Sequence, residues 1–201
     1  MRLGLFGGSF DPVHLGHLML AECCREQCQL DAVRFLPAGH APHKPSGNTA
    51  SGRQRIEMLE LATAGHPAFT IDPLEVEREG TSYTVETLDH FAQTMPDAEL
   101  FFLVGADMLH DLPNWRNAAR ACELAVFISV RRSGEPEPDF SVLEAIVSEE
   151  RLERFRQHQV QMPELGLSST AIRRRVADGR SIRYWTPRAV EEYIAMHGLY
   201  R

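Results

Sequence analysis

Residues 2–17 have the sequence RLGLFGGSFDPVHLGH. The apolar run at its start predicts a buried strand over 2–6, and the helical spacing that follows predicts a helix over 13–27. Between the two, Gly7 and Gly8 allow the backbone to turn sharply. A strand that leads through a glycine turn into a helix is the beginning of a βαβ unit, so this stretch predicts an α/β fold.

The rest of the chain repeats this alternation of short apolar runs and helical patterns, which is typical of a parallel sheet. We therefore expect a Rossmann-like, doubly wound parallel sheet with helices on both faces, in a single domain over residues 1–201. Ligands of such sheets bind at the carboxyl ends of the strands. The further strands are predicted at 32–36, 69–71, 100–104, 124–130 and 159–161, the further helices at 53–64, 83–93, 141–157 and from about 169 and 187, and a polar loop at 131–139.

The composition is that of a globular, acidic protein. Of the 201 residues, 43% are hydrophobic, and the formal net charge is −7. Coating nucleic acid requires a basic surface that displaces counterions, and a membrane span requires a stretch of roughly 18 apolar residues, so we expect neither partner and a cytoplasmic location. The charge is uneven, because residues 151–188 carry a net charge of +6.

The four cysteines are Cys23, Cys24, Cys28 and Cys122. Cys24 and Cys28 would share one helix face and could contribute to a zinc site together with histidines. Packing as small hydrophobic side chains explains them better. We therefore expect no protein-bound metal and no disulfide.

The turn after the first predicted strand has the chemistry of an anion site. We interpret Asp11 as the N-cap and Pro12 as the first residue of the helix, so that free amides and the helix dipole face a phosphate. His14 and His17, one helical turn apart, would flank the same anion. The sequence contains neither the dinucleotide fingerprint nor the P-loop. A glycine-rich turn with two packing or surface histidines is the alternative.

A second candidate anion site lies near the carboxyl end of the chain. The hydroxyl residues 168–170 stand at a predicted helix N-terminus, where the dipole favours an anion, and Arg173 can contact phosphate oxygens in a bidentate manner. By itself this pattern indicates a helix cap with a solvated arginine. In combination with the first motif, it favours a phosphate site.

Together these motifs resemble the nucleotidyltransferase superfamily that carries HxGH and SSTxxR motifs, and more narrowly the bacterial nicotinate-nucleotide adenylyltransferases. The resemblance covers essentially the whole chain. One small departure is Leu167, where the family pattern has Ile. The matching segments are GGSFDPVHLGH (7–17), PHKP (42–45), GTSYTVETL (80–88), GADML (105–109), NW (114–115) and LSSTAIR (167–173).

The resemblance implies a nucleotidyltransferase-type fold whose C-terminal helices, about residues 168–201, complete the ATP site. It implies that ATP and nicotinate mononucleotide react to nicotinate adenine dinucleotide and pyrophosphate, with Mg²⁺ held mainly by ATP phosphates and water. Transfer to another phosphate ester, nicotinamide mononucleotide or phosphopantetheine, is the enzymatic alternative. A non-catalytic nucleotide sensor is the alternative from another class, and assembly into a homo-oligomer is open.

The resemblance also assigns roles to residues. His14, His17, Lys44 and Arg173 would be catalytic, as charge stabilisers and not as proton carriers, because a phosphate nucleophile with a pKa of about 6 needs no general base. ATP would contact Gly7, Gly8, Ser9, Phe10, His17, His43, Gly105, Ala106, Asp107, Ser168, Ser169, Thr170 and Arg173, and nicotinate mononucleotide would contact Ser9, Lys44, Tyr83, Thr84 and Trp115.

Two of these assignments have alternatives in the local sequence. Asp107 would accept a hydrogen bond from a ribose hydroxyl, but an N-cap following a strand explains it equally well. Trp115 would stack on the pyridine ring, but aromatic residues of this kind also pack in cores and interfaces.

Overall fold

The structure is a computed structural model that describes residues 1–39, 49–132 and 137–201, apart from the side chains of Asp107 and Arg132. The PHKP segment, with His43 and Lys44, lies outside the described residues. The elements in chain order are β1 (Arg2–Gly8), α1 (Leu15–Gln27), β2 (Ala32–Pro37), α2 (Gly52–Thr63), β3 (Phe69–Ile71), α3 (Leu74–Glu77), α4 (Thr84–Thr94), β4 (Glu99–Gly105), α5 (Ala106–Leu109), α6 (Ala118–Leu124), β5 (Ala125–Arg132), α7 (Glu149–Gln157), β6 (Gln159–Met162), α8 (Ser169–Ala177) and α9 (Arg188–Met196), with 3₁₀ turns at Leu112–Asn114 and Phe140–Leu143.

The strands form a six-stranded sheet in the order β3-β2-β1-β4-β5-β6. The pairs β1–β4, β4–β5 and β5–β6 are parallel. This order is that of doubly wound nucleotide-binding sheets, in which the strand order reverses between β1 and β4. The interior residues of β4, Leu100–Val104, are all buried, as expected for a parallel strand covered on both faces. The predicted doubly wound parallel α/β sheet is confirmed.

The helices form where an apolar stripe and a cap coincide. Helix α2 begins with a capping box, in which the Ser51 hydroxyl accepts from the Gln54 N–H and the Gln54 side chain accepts from the Ser51 N–H. Such a cap satisfies N–H groups that have no partner inside the helix. Helix α4 buries Val85, Leu88 and Phe91, which recur at the three-residue spacing of one helix face. No helix in the described part of the chain is long and apolar enough to cross a membrane.

The residues group into two compact units. Both histidines of the first motif and the whole 167–173 motif belong to unit 2, whereas the 105–109 segment and Trp115 belong to unit 1. The prediction of one domain over the whole chain stays a prediction. Unit 1 comprises Met1–Phe6, Leu20–Arg34 and Tyr83–Glu164, and unit 2 comprises Gly7–Met19, Phe35–Ser82 and Leu165–Arg201.

The start of the first helix differs from the prediction. The helix predicted over 13–27 begins at Leu15, so the interpretation of Asp11 as its N-cap and Pro12 as its first residue was wrong. The Asp11–Pro12 peptide bond is cis. The Asp11 carboxylate instead accepts hydrogen bonds from the N–H groups of residues 49 and 50, which are far from α1 in sequence.

The helix predicted over 141–157 is also shorter in the structure. A 3₁₀ turn covers Phe140–Leu143, and α7 begins only at Glu149. The reason is local, because the Ser148 hydroxyl accepts a hydrogen bond from the Arg151 N–H and so caps a new helix at this point.

Helix α6 was not predicted, and neither were the short helices α3 and α5. Leu124 ends α6 and does not start the following strand, and β5 continues to Arg132 into the predicted loop. The ARACEL sequence of α6 contains strong helix formers, but it directly precedes the β5 run without a glycine or proline between the two. A boundary of this kind has no turn residue that would mark it.

Candidate active site

The loop between β1 and α1 is held by its carbonyl groups. We call residues 7–14, the end of β1 and the turn that leads to α1, the phosphate loop, after the role predicted for it. Each hydrogen bond comes from a different group in unit 2, and three come from side chains of the C-terminal part of the chain. Gly8 O accepts from Ala38 N at 2.8 Å, Ser9 O from Arg55 Nη1 at 2.9 Å, Asp11 O from Arg173 Nη1 at 2.7 Å, Pro12 O from Ser169 Oγ at 2.8 Å, and Val13 O from Thr186 Oγ1 at 2.8 Å.

This arrangement fixes the direction of the loop's amide groups. In a planar trans peptide, the carbonyl of one residue and the N–H of the next point in opposite directions. The N–H groups of Ser9, Phe10 and Val13 therefore point away from Ala38, Arg55 and the Ser169 hydroxyl. Backbone N–H groups of a turn are a general way to receive an oxyanion.

Asp11 lies at the centre of the loop and is buried. Its Oδ2 accepts from Thr49 N at 2.8 Å, and its Oδ1 accepts from Ala50 N at 3.1 Å and from the Tyr200 hydroxyl at 2.7 Å. The guanidinium of Arg173 lies 4.0 Å from Oδ2. A buried carboxylate is tolerated when it is hydrogen-bonded and near a cation. Asp11 therefore has a structural role in holding the loop.

The two histidines of the HxGH motif lie together, as predicted. Their ring centroids are 3.7 Å apart and the rings are stacked. The main-chain N–H of His14 donates a hydrogen bond to Nδ1 of His17 at 3.2 Å. The neutral His17 ring therefore carries its proton on Nε2. Nδ1 of His14 is buried, with no hydrogen-bond partner among the residues that the structure describes.

Both histidines are neutral at pH 7. Burial lowers the pKa of His14 to about 4. Burial, and then the proximity of His14, hold the pKa of His17 well below its usual range. A neutral imidazole has one N–H donor and one acceptor nitrogen, so in this state the pair contributes directed N–H dipoles and not full positive charges.

Helix α8 brings the second motif to the phosphate loop. Ser168 is its N-cap and accepts a hydrogen bond from the Ala171 N–H at 3.1 Å. The Ser169 hydroxyl donates to the main-chain carbonyl of Pro12. Thr170 Oγ1 accepts from Arg173 Nη2 at 3.3 Å. The structure thus places both phosphate motifs in contact. The capping role of Ser168 is observed, and phosphate binding by this segment stays a prediction.

Two further residues of this cluster were not predicted. Arg55 is 3% exposed, and its Nε is buried without a partner in the described ranges. Burial lowers its pKa, although the nearby Asp11 opposes the shift. Tyr200 is 8% exposed. Its burial and its bond to Asp11 raise the pKa of the phenol well above its usual range. Neither residue belongs to a motif that would have identified it.

In unit 1, the residues predicted to bind adenosine follow β4 directly. Gly105 ends β4 and precedes α5 with an extended backbone, and Ala106 is the first residue of α5. Asp107 is the second residue of that helix. The alternative interpretation of Asp107 as an N-cap was therefore wrong, because Gly105 occupies the cap position.

Also in unit 1, Trp115 packs against the sheet. Its ring is edge-on to Phe102 of β4 at 6.2 Å and to Phe127 of β5 at 6.1 Å. Core packing, the alternative for Trp115, is thus part of its role. Its indole Nε1 is nevertheless buried and has no acceptor within the described residues, whereas a buried indole N–H usually finds one.

Tyr83 and Thr84 begin helix α4. Tyr83 is the N-cap residue without a side-chain cap bond, and Thr84 is the first helical residue. The guanidinium of Arg116 lies 4.4 Å from the centroid of the Tyr83 ring and 3.3 Å from a Glu86 carboxylate oxygen. Arg116 was not among the predicted residues, and it puts a positive charge beside Tyr83.

Protein ligands for a metal ion are not apparent in the described parts of the chain. No three residues among its histidines, cysteines, aspartates and glutamates lie close enough to hold an ion. All four cysteines are free thiols. Cys24 is buried in α1 and Cys122 in α6, and burial raises the pKa of both thiols.

The chain is similar to known proteins over its whole length. Residues 5–175 match the cytidylyltransferase-like family. A protein of Thermus thermophilus is 46% identical and one of Thermomicrobium roseum is 47% identical, each named "Probable nicotinate-nucleotide adenylyltransferase". The alignments cover 100% of this chain and 100% and 92% of the two relatives, respectively. Among solved structures, nicotinic acid mononucleotide adenylyltransferase of Plasmodium falciparum, complexed with NaAD, has a TM-score of 0.77 at 17% identity, covering 99% of this chain and 97% of that one.

Proposed function

The chain belongs to the cytidylyltransferase-like family, and we propose that within this family it transfers AMP from ATP to nicotinate mononucleotide, with nicotinate adenine dinucleotide and pyrophosphate as products. This reaction is a step of NAD biosynthesis. An enzyme with this activity is a nicotinate-nucleotide adenylyltransferase, in agreement with the names of relatives that are 46–47% identical over essentially the full chain.

The observation that carries the proposal is the contact between the two motifs. Arg173 donates to the carbonyl of Asp11 and Ser169 to that of Pro12, so the phosphate loop and the N-terminus of α8 form one cluster. The two motifs contribute backbone N–H groups, two histidines and a guanidinium to this cluster. This is the equipment of a site that receives several phosphate groups and stabilises charge on them.

The reaction needs no general base in this site. The nucleophile is an oxygen of the mononucleotide phosphate, whose second pKa of about 6 leaves it mostly deprotonated at neutral pH. It forms a bond to the α-phosphorus of ATP while the bond from that phosphorus to the bridging oxygen breaks, and pyrophosphate leaves with the electron pair. Catalysis then requires alignment of the two phosphates and stabilisation of the charge on the leaving group.

His14, His17 and Arg173 are assigned the stabilising role. Arg173 uses Nη1 and Nη2 to bind Asp11 and Thr170, which orients the remaining N–H groups of its guanidinium. The histidines are neutral in the free protein, and an approaching polyphosphate would raise their pKa values because an opposite charge favours the protonated form. They therefore provide N–H donors whose charge increases as the ligand binds. Lys44 and His43 are assigned to the same phosphates by the resemblance alone.

The preference for nicotinate is assigned to unit 1. A nicotinate ring carries a carboxylate that nicotinamide lacks. The N-terminus of α4 at Thr84 offers helix N–H groups, and the Arg116 guanidinium over the Tyr83 ring, which also pairs with Glu86, supplies hydrogen-bond donors nearby. Both features favour an anionic ring substituent. The indole N–H of Trp115, which has no acceptor among the described residues, is consistent with the assignment of this residue to the pyridine nucleotide.

Magnesium is assigned to the substrate and not to the protein. Mg²⁺ prefers oxygen ligands and keeps several waters, and it commonly binds through substrate phosphates. The Asp11 carboxylate, which is the acidic group at the phosphate loop, is already bound by two backbone N–H groups and a phenol. We therefore propose that the metal arrives as the complex of Mg²⁺ with ATP. A cytoplasmic location and self-association stay predictions.

Product identification tests this function. The purified protein is incubated with MgATP and one phosphate acceptor at a time: nicotinate mononucleotide, phosphopantetheine or none. We expect pyrophosphate and a dinucleotide of the mass of nicotinate adenine dinucleotide only with the first acceptor. Transfer of AMP to phosphopantetheine alone, with release of pyrophosphate, would assign the protein to another adenylyltransferase, and ATP binding without turnover would make it a sensor.

A further inference from the structure

The C-terminal turn of the chain lies against the phosphate loop. Helix α9 ends at Met196, and the following turn has positive φ angles at Gly198 (+60°) and Tyr200 (+65°). A positive φ is ordinary for glycine but uncommon for a bulky side chain, and such a conformation persists when surrounding contacts determine it. The contact in this case is the hydrogen bond of 2.7 Å from the Tyr200 hydroxyl to Asp11 Oδ1.

Asp11 links this phenol to the candidate catalytic arginine. Its carboxylate accepts from Tyr200, while its main-chain carbonyl accepts from Arg173 Nη1. The carboxylate and the carbonyl belong to one residue, so a side chain that is held by several donors restrains the backbone that carries the carbonyl. The last turn of the chain can therefore fix the orientation of the loop and, through it, of Arg173.

We propose that Tyr200 is a positioning residue for adenylyl transfer, acting through Asp11 on the phosphate loop and Arg173. This inference rests on the proposed function. Tyr200 itself is not a catalytic residue, since its hydroxyl is bound to a buried carboxylate and is not offered to substrate. It belongs to unit 2, as do Asp11, Arg173 and both motif histidines.

The geometry indicates which kinetic parameter Tyr200 affects. A loop that is correctly oriented at the moment of charge development lowers the barrier without a matching change in substrate binding. Loss of the phenol leaves the Asp11 carboxylate with its two backbone donors, so the loop stays folded but is less firmly fixed. The effect should fall on kcat and not on KM.

The test compares two single-atom deletions. Tyr200→Phe removes the hydroxyl and keeps the ring. Tyr193→Phe is the matched control, because the Tyr193 hydroxyl also donates to a carboxylate in unit 2, that of Glu57, but not to the phosphate loop. We expect Tyr200→Phe to lower kcat at least about fivefold with KM for both substrates within about threefold of wild type. Tyr193→Phe should keep kcat within about twofold. Thermal unfolding of each variant is measured in parallel.

A double variant tests whether the two side chains act through one bond. In the background of Asp11→Ala, which removes the acceptor, adding Tyr200→Phe should change kcat by less than about twofold, because the two side chains act through one bond. A Tyr200→Phe enzyme with unchanged kcat, or an equal loss in Tyr193→Phe, would overturn the proposal. So would additive losses in the double variant. These results presuppose an active wild-type enzyme, and an inactive one contradicts the proposed function itself.

Discussion

Arg173 and Asp11 lie 162 positions apart in the sequence, and Arg173 Nη1 donates a hydrogen bond of 2.7 Å to the main-chain carbonyl of Asp11. The bond joins the last motif of the chain to the first. It occupies one branch of a guanidinium whose other branch contacts Thr170. Because the planar group is held at two points, its remaining donors have a defined direction, which a flexible cation would lack.

Replacement of Arg173 should therefore be costly even when the charge is kept. Arg173→Lys has one ammonium group and cannot bind Asp11 and Thr170 in the same fork, so we expect turnover to fall about tenfold, and about a hundredfold for Arg173→Ala. Steady-state pyrophosphate release measures both. Arg174→Ala, the loss of an exposed neighbour, is the control and should be close to wild type. Full activity in Arg173→Lys would show that the fork geometry is unimportant.

His17→Ala should reduce turnover by roughly a hundredfold, with a smaller effect on ATP affinity, because the ring stabilises charge that develops during transfer. The variant also removes the acceptor of the His14 main-chain N–H. Single-turnover rates measure the effect on transfer, and calorimetric titration with ATP measures the effect on ATP affinity. If the variant turned over at a near-normal rate, His17 would not belong to the catalytic set.

The stability of the protein should decrease on acidification from about pH 6.5 to about pH 4. The folded state holds the pKa of His14 at about 4, below its usual 6.5, so within this window the unfolded chain takes up a proton that the folded chain refuses. Protonation therefore favours unfolding, by up to about 3 kcal/mol from His14 once the pH is below its folded pKa. Denaturant unfolding at several pH values checks this. His14→Gln should weaken the dependence, and an unchanged slope in that variant would contradict it.

Arg55 is expected to matter for stability more than its position on α2 suggests. Arg55→Met removes the donor to the Ser9 carbonyl and a buried cation beside Asp11, which should lower the free energy of unfolding by about 3 kcal/mol. Arg53→Met on the same helix removes an exposed arginine paired with Glu57 and should leave stability nearly unchanged. Chemical denaturation distinguishes them, and equal effects would argue against a special role of Arg55.

The strand pattern and the positions of the two motifs could be predicted from the sequence because each is a local signal. Apolar runs marked the strands, and glycines followed by two histidines marked the phosphate loop. The hydroxyls at 168–170 marked the helix that carries Arg173. These features depend on residues within a few positions of one another, and the structure differs from their predicted bounds by only a few residues.

The supports of the loop could not be predicted in this way. In the sequence, nothing distinguishes Arg55 from an arginine on an exposed helix face. Tyr200 stands near the end of the chain and belongs to no motif. Arg55 contacts Ser9, 46 positions away in the sequence, and Tyr200 contacts Asp11, 189 positions away. The N-cap interpretation of Asp11 failed for the same reason, because its partners came from residues 49, 50 and 200 and not from the adjacent helix.

The most direct measurement is the rate of pyrophosphate release from MgATP with nicotinate mononucleotide and with nicotinamide mononucleotide in parallel assays. We predict that release requires a mononucleotide and that kcat/KM is at least about tenfold higher for nicotinate, the difference expected from a carboxylate that is bound by charged and N–H groups. Equal or higher kcat/KM for nicotinamide mononucleotide would contradict the assigned substrate, and no release with either would contradict adenylyl transfer to pyridine nucleotides altogether.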